Sequence, residues 1–253
     1  MLDPKDPNLV PPVILFLLPC YGGNITEACF YSFLKFARFA EDNGIEYSVA
    51  THTHSSLISL GRSIMFSQSV QMQDDWSEDW THIMWVDADI QWEPKDLMNL
   101  LIEDKDIIGG YYPIKTYPIR PASSPKAVEG GEETDTLIET FYIATGFMLI
   151  KRHVCEKMMD HFYDELKFKY GRSPRPDLKY VDLFAPIIDA ENDDLYLSED
   201  YAFCKRAREI GFKTYMSKKV QLGHAMGSHI FSKENEKEML KAYEDQGRIT
   251  ITE

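Results

Sequence analysis

Asp87-Ala88-Asp89 places two carboxylates one residue apart, directly after the apolar, β-prone run His82-Ile83-Met84-Trp85-Val86. On a pleated strand, alternate residues project to the same side, so the two acids are expected to point together. Past the strand's carboxyl end they reach the crevice where open α/β sheets bind ligands. Paired carboxylates there suit a hard divalent cation that must also hold phosphate oxygens. The triplet alone is not specific. Asp104-Lys105-Asp106 repeats it at a charged helix end, where a solvated turn is the expected state.

Four further features have side chains suited to chemistry. His224 sits in Leu222-Gly223-His224-Ala225-Met226-Gly227, whose glycines permit close backbone approach; it reads equally as a structural histidine or a ligand. Glu199-Asp200 opens a predicted helix, where an acid is either a cap favoured by the free amides or a rigidly held general base. Lys115 follows Gly109-Gly110-Tyr111-Tyr112-Pro113-Ile114, at a strand end that faces the same crevice as Asp89 or simply solvent. Arg62 lies in an otherwise uncharged helical stretch, Leu57 to Val70, which implies a specific anionic partner: a structural carboxylate or a ligand phosphate. His52 and His54 alternate after the second strand and read as a polar loop rather than a metal pair.

The elements that must carry these residues follow from periodicity. Val13 to Leu18 is all apolar, as expected for a strand covered on both faces. Pro19 to Asn24 is a turn, Thr26 caps the next helix, and Phe30, Phe33, Leu34, Ala37 and Ala40 form its predicted core face, stopped by Asn43-Gly44. Ile45 to Ala50 is a second strand, and Ser55 to about Gln73 a second helix. Acidic Asp74 to Asp79 forms a loop before the Asp87 strand. Pro94 starts a third helix with Leu97, Leu100 and Leu101 inward, followed by the strand Asp106 to Gly110. Three strand–helix repeats in about a hundred residues indicate a doubly wound, largely parallel sheet. Beyond it, ribbons and loops fill 111 to 140, Phe141 to Ile150 is a strand interrupted by Gly146, Tyr201 to Glu209 is a helix, and Lys233 to Gln246 is a charged surface helix.

At 253 residues and 44% apolar content the chain suits one large domain. A formal charge of −14 argues against nucleic acid or an anionic membrane, and requires a local cation for any phosphorylated substrate. Cys20, Cys29, Cys155 and Cys204 lack zinc-type pairing and read as buried, reduced thiols of a cytoplasmic protein. No signal peptide or spanning segment is expected, since Val13 to Leu18 is too short and Pro19 ends it.

Taken together, these segments resemble nucleotide-diphospho-sugar glycosyltransferases of the GT-A fold, and within them soluble, family-2-like enzymes common in bacteria and large DNA viruses. The similarity runs from about Leu17 to Phe231. It rests on Pro19-Cys20-Tyr21-Gly22-Gly23, Ser56-Leu57-Ile58 with Arg62, Thr81 to Ile90, Gly109 to Lys115, Ala144-Thr145-Gly146-Phe147, Ser198 to Cys204 and Gly223-His224. An Asn often follows the helix arginine in similar sequences, whereas Ser63 stands here.

The resemblance implies a single α/β domain, a Rossmann-like, mixed but mostly parallel sheet flanked by helices. Residues 13–110 would be its nucleotide-binding half, 111–231 its acceptor and catalytic half, and 232–253 a terminal helix. It implies Mn²⁺ or Mg²⁺ held by Asp89, with Asp87 on the ribose or on the metal through water, and His224 completing the set. Pro19, Tyr21, Thr51 and Ala88 would border the nucleotide, with Lys115 and Arg62 near the phosphates. Gly146 would let a sugar lie against the backbone. Asp200 would be the base and Glu199 would hold donor-sugar hydroxyls. The expected activity is transfer from a UDP-sugar to a glycan or other hydroxyl acceptor with inversion, in the cytoplasm, or a host's cytoplasm for a virus-encoded chain. A retaining enzyme and a non-catalytic sugar-nucleotide-binding module are the alternatives. A nucleotidyltransferase of similar fold is disfavoured, because Tyr21 to Thr26 lacks a basic phosphate-loop residue. A haloacid-dehalogenase-like phosphatase normally carries its Asp-x-Asp on the first strand.

Overall fold

The computed structural model describes residues 11–53, 55–71, 80–116, 118–123, 127–171, 173, 175, 177–236 and 241. His54, the whole acidic loop at 74–79 and most of the expected helix at 233–246 lie outside them. The first half alternates as expected: β1 (Ile14–Pro19), α1 (Glu27–Asn43), β2 (Tyr47–His52), α2 (Ile58–Gln71), β3 (His82–Val86), a short β4 (Ile90–Gln91), α3 (Pro94–Glu103) and β5 (Ile107–Tyr111). Then come β6 (Leu137–Thr140), β7 (Phe147–Lys151), α4 (Arg152–Leu166), the short pairs β8 (Lys167–Phe168) with β9 (Tyr180–Val181) and β10 (Ile187–Asp189) with β11 (Leu195–Leu197), and α5 (Glu199–Glu209). β12 (Thr214–Gln221), β13 (Gly223–Met226) and β14 (His229–Phe231) close the described chain.

Seven strands form one mixed sheet in the order β2-β1-β3-β7-β5-β12-β6. Five run in one direction, and β7 and β6 oppose them. Helices cover both faces, which is why β1 and all of β3 after His82 are apolar. Leu15, Leu17, Ile83 and Trp85 share one core with α2, α4 and α5 residues such as Phe66, Val154 and Phe203. Ile14, Phe16, Met84 and Val86 share the other with Phe36, Leu97 and Leu100 of α1 and α3. The period-two alternation of the strands thus divides one apolar run between two cores.

Two local expectations are corrected. The buried face of α1 is Cys29, Ser32, Phe36 and Ala40, while Phe30 and Leu34 are about half exposed. This helix has apolar residues nearly all round, so periodicity alone does not choose its inner face. The strand expected over 141–150 begins only at Phe147, and 141–146 is irregular. Helix α4, absent from the expectations above, buries Val154, Cys155, Met158, Met159 and Phe162 at helical spacing.

Caps fix the element ends near the site. The Thr26 hydroxyl accepts from the Cys29 amide (3.3 Å) and donates to the Ala88 carbonyl (3.1 Å), tying the start of α1 to the Asp87–Asp89 segment. Gly44 closes α1 in the left-handed conformation, φ 63°. All four cysteines are buried and unpaired. No described helix is long and apolar enough to cross a membrane.

Candidate active site

The parallel strands β1, β2, β3 and β5 end on one edge of the sheet, and several of the candidate residues gather there. A cleft of about 420 Å³ is lined by Pro19, Tyr21, Arg62, Asp87, Ala88, Asp89 and Glu199 among others. Thr51, paired with Leu18 at the end of β2, is exposed and does not line it. Tyr21 stands at the rim, 74% exposed.

The two aspartates line the same cleft but have different partners. β3 ends at Val86, and Asp87 to Ile90 form a turn closed by the Ile90 amide donating to the Asp87 carbonyl (3.0 Å). Pleat alternation therefore stops one residue too early to apply. Asp87 turns inward: its Oδ1 accepts from Arg62 Nη2 at 2.7 Å. Asp89 has its Oδ2 on Lys115 Nζ at 2.5 Å and its Oδ1 facing His224 Nε2 at 3.4 Å.

Arg62 is 2% exposed, lies 5.4 Å from the Trp85 ring and reaches Glu199 with Nε at 3.8 Å. Of its two candidate partners, the structure supplies the carboxylates. Burial opposes its charge, but Asp87 and Glu199 more than offset that and hold its pKa above the ordinary value. Its Nε and Nη1 atoms have no hydrogen-bond partner among the described residues. Ser63, where an Asn is common in the resembled sequences, faces away into the core: it donates to Asp182 (2.7 Å) and accepts from the Phe184 amide (3.2 Å).

His224 arrives by a small second sheet in which β13 pairs with β4 and β14. Register places His224 opposite Ile90, and the Ala225 amide donates to the Asp89 carbonyl (2.8 Å). Gly223 is required by this packing, since a Cβ there would lie 2.6 Å from Ile230 Cγ2. His224 Nδ1 lies 2.8 Å from the Pro113 carbonyl, which can only accept, so Nδ1 carries the proton. In a neutral ring the Nε2 lone pair then faces Asp89 Oδ1, and two acceptors so placed need a proton or a metal ion between them. Burial raises the Asp89 pKa, but the His224 and Lys115 hydrogen bonds pull it below the ordinary value.

A carboxylate oxygen suits Mn²⁺ or Mg²⁺, and the added imidazole nitrogen fits the transition ion Mn²⁺ better than Mg²⁺ when phosphate oxygens complete the shell. The expected set of Asp87, Asp89 and His224 is not assembled as three ligands. Asp87 is committed to Arg62, and the described residues contain no group of three His, Cys, Asp or Glu arranged to hold a metal.

Asp200 is the second residue of α5, whose N-cap is Ser198. Its Oδ1 accepts from the Ser198 hydroxyl and, at 2.8 Å, from the Tyr201 amide. Burial pushes its pKa up further than these bonds lower it. Burial and the Asp200 charge likewise raise Glu199.

Gly146 is buried, and its open face is filled by Tyr112 rather than left for a sugar. A Cβ there would lie 2.3 Å from Tyr112 Oη and 3.0 Å from Asp87 Oδ2. Tyr112, quoted in the sequence but given no role, links the site. Its oxygen accepts from the Gly146 amide (3.0 Å), and its ring packs edge-on against His224 with centroids 5.4 Å apart. Burial, then the charges of Asp87 and Asp200, hold its hydroxyl far above the ordinary tyrosine range. The run Gly109-Gly110-Tyr111-Tyr112 was the available signal, but nothing local marks Tyr112 over Tyr111.

No model of a known protein family matches the chain, and no curated protein matches it by sequence. Solved structures do match in shape. A glycosyltransferase involved in glycosylation of the major capsid of PBCV-1 is 13% identical over 58% of this chain and 63% of its own, with a TM-score of 0.32. The inositol-1-phosphate CTP transferase of T. maritima is 11% identical over 92% and 97%, TM-score 0.45. GalNAc-T7, solved with UDP, GalNAc and Mn²⁺, is 10% identical over 92% and 48%, TM-score 0.45. The chain therefore spans about three fifths of the first and about half of the third. These neighbours are two glycosyltransferases and one nucleotidyltransferase.

Proposed function

We propose that the chain is a metal-dependent glycosyltransferase that moves a sugar from a nucleoside-diphosphate donor, a UDP-sugar, to a hydroxyl acceptor with inversion. One observation carries this reading: Asp89, whose Oδ1 faces His224 Nε2, lines a cleft together with Arg62, Asp87 and Glu199. Metal and diphosphate would occupy the Asp89–His224 side, and the nucleoside the Pro19–Tyr21 side. Arg62 acts from beneath, as the counter-charge that keeps Asp87 and Glu199 in place.

Asp200 is assigned as the base. As the acceptor oxygen bonds to the anomeric carbon, its proton passes to an Asp200 carboxylate oxygen. The bond from that carbon to the diphosphate oxygen breaks with its electron pair. A burial-raised pKa strengthens the carboxylate as a proton acceptor. Glu199 would hold donor-sugar hydroxyls, and Lys115 a phosphate oxygen. When bound, Mn²⁺ or Mg²⁺ supplies Lewis-acid neutralisation of the departing diphosphate.

The test is hydrolysis of a panel of UDP- and GDP-sugars by metal-stripped protein. Activity should be absent in EDTA and restored by Mn²⁺. Full turnover without metal, or no turnover with any metal, refutes the proposal; the second result would favour a binding module.

A further inference from the structure

Lys115 and His224 are controlled by the same short piece of chain. The Ile114 amide donates to the Arg120 carbonyl (2.8 Å), and Pro113 bridges Pro121, so residues 113–114 run back against residues 120–121 as a narrow ribbon. From this ribbon the Pro113 carbonyl fixes the His224 tautomer, and two residues later Lys115 reaches Asp89. Asp89 thus has one oxygen on an ammonium and the other facing the imidazole nitrogen, both supplied or set by one segment. A divalent cation bound at Asp89 and His224 would lie within a few ångströms of the Lys115 ammonium, where like charges repel strongly. A diphosphate removes the conflict, because its oxygens give the ammonium a new partner while they bind the cation.

We infer that Lys115 is a tethered counter-cation that makes metal and nucleoside diphosphate binding mutually dependent: it opposes the metal alone and favours the metal–diphosphate pair. The inference rests on the nucleotide-site reading above and adds a specific device to it. Binding linkage is reciprocal, so whatever factor UDP contributes to metal affinity, metal contributes to UDP affinity. Lys115 is partly exposed at the site's rim, so replacing it leaves both cores intact. Its charge is what matters, which separates Lys115→Met from Lys115→Arg.

The experiment is calorimetric titration of the full chain with Mn²⁺ alone, UDP alone, and each in the presence of the other, with thermal melting in metal-free buffer as the folding control. In the wild type, Mn²⁺ and UDP should each tighten the other by a factor within the usual range of about 5–150. Lys115→Met should bind Mn²⁺ alone about tenfold more tightly and lose most of the mutual tightening, while Lys115→Arg retains it. If the wild type shows the mutual effect and Lys115→Met keeps it undiminished, the lysine inference falls and the nucleotide-site reading stands. A wild type that binds both without mutual tightening also overturns the lysine inference alone. If the wild type binds no Mn²⁺ even with UDP, both readings fall.

Discussion

Arg62→Met removes the one buried cation beneath the site and keeps most of the side chain's length. Arg62 is 2% exposed, its bond to Asp87 is 2.7 Å, and Glu199 lies 3.8 Å from Nε. Removing one partner of a buried ion pair costs about 3–5 kcal/mol, because the other charge is left without compensation. Asp87 keeps 26% of its side chain in water, so the lower end applies, about 3 kcal/mol. For a chain of this size that lowers Tm by roughly 6–12 °C.

The deficit also has a defined pH dependence. Glu199 is already held above its ordinary 4.5 with Arg62 present, and losing the cation raises it further. A carboxyl whose folded pKa exceeds its unfolded value stabilises the fold below the unfolded pKa. It loses that contribution as pH rises through the folded pKa. Arg62→Met should therefore be closer to wild type at pH 5 than at pH 7.5. The assay is thermal denaturation by circular dichroism at both pH values, without nucleotide or metal. A variant that melts within about 2 °C of wild type at pH 7.5 refutes the counter-charge argument, since about 3 kcal/mol would have no outlet. If UDP binding collapsed at unchanged stability, Arg62 would be a phosphate ligand instead.

Asp200→Asn keeps the shape of the α5 entrance and removes the proton acceptor, so transfer should fall by about a hundredfold or more with UDP affinity nearly intact. Because the Asp200 pKa is raised, the wild-type rate should climb with pH on an acid limb above the ordinary 3.8. The variant should lack that limb, and a native rate in Asp200→Asn would leave the carboxylate as a helix cap only. His224→Ala should weaken Mn²⁺ binding in the presence of UDP, measured by calorimetry, more than it lowers metal-free Tm; earlier melting at unchanged metal affinity would identify a structural histidine. Gly146→Ala drives a methyl to within 2.3 Å of Tyr112 Oη, an overpacking penalty of about 1–3 kcal/mol. It should lower Tm and, by displacing Tyr112 from His224, weaken metal binding as well; an unchanged Tm would show that Tyr112 moves freely.

What the sequence determined was local and periodic. The apolar runs Ile14–Leu18 and Ile83–Val86, the Thr26 cap, Pro94 at the start of α3 and Gly44 closing α1 depend on residues within a few positions of one another, so they are legible without coordinates. That Asp87 and Asp89 lie at the crevice also followed, because parallel strands deliver their carboxyl ends to a common edge, whereas Arg62 and Glu199, on helices, were placed there only by the resemblance. Tertiary structure decided the roles within that crevice. The turn at Asp87–Ile90 sent the two aspartates to different cations, although strand alternation predicted one direction. The Pro113 carbonyl, 111 positions away, chose the protonated nitrogen of His224, and Tyr112, 34 positions away, filled the face of Gly146. The inner face of α1 was settled by contact with Phe16 and Trp92 rather than by its own pattern. Hydrogen-bond partners and buried ion pairs are short-range forces acting between groups distant in the chain. Their identity therefore exists only once the sheet has brought those groups together.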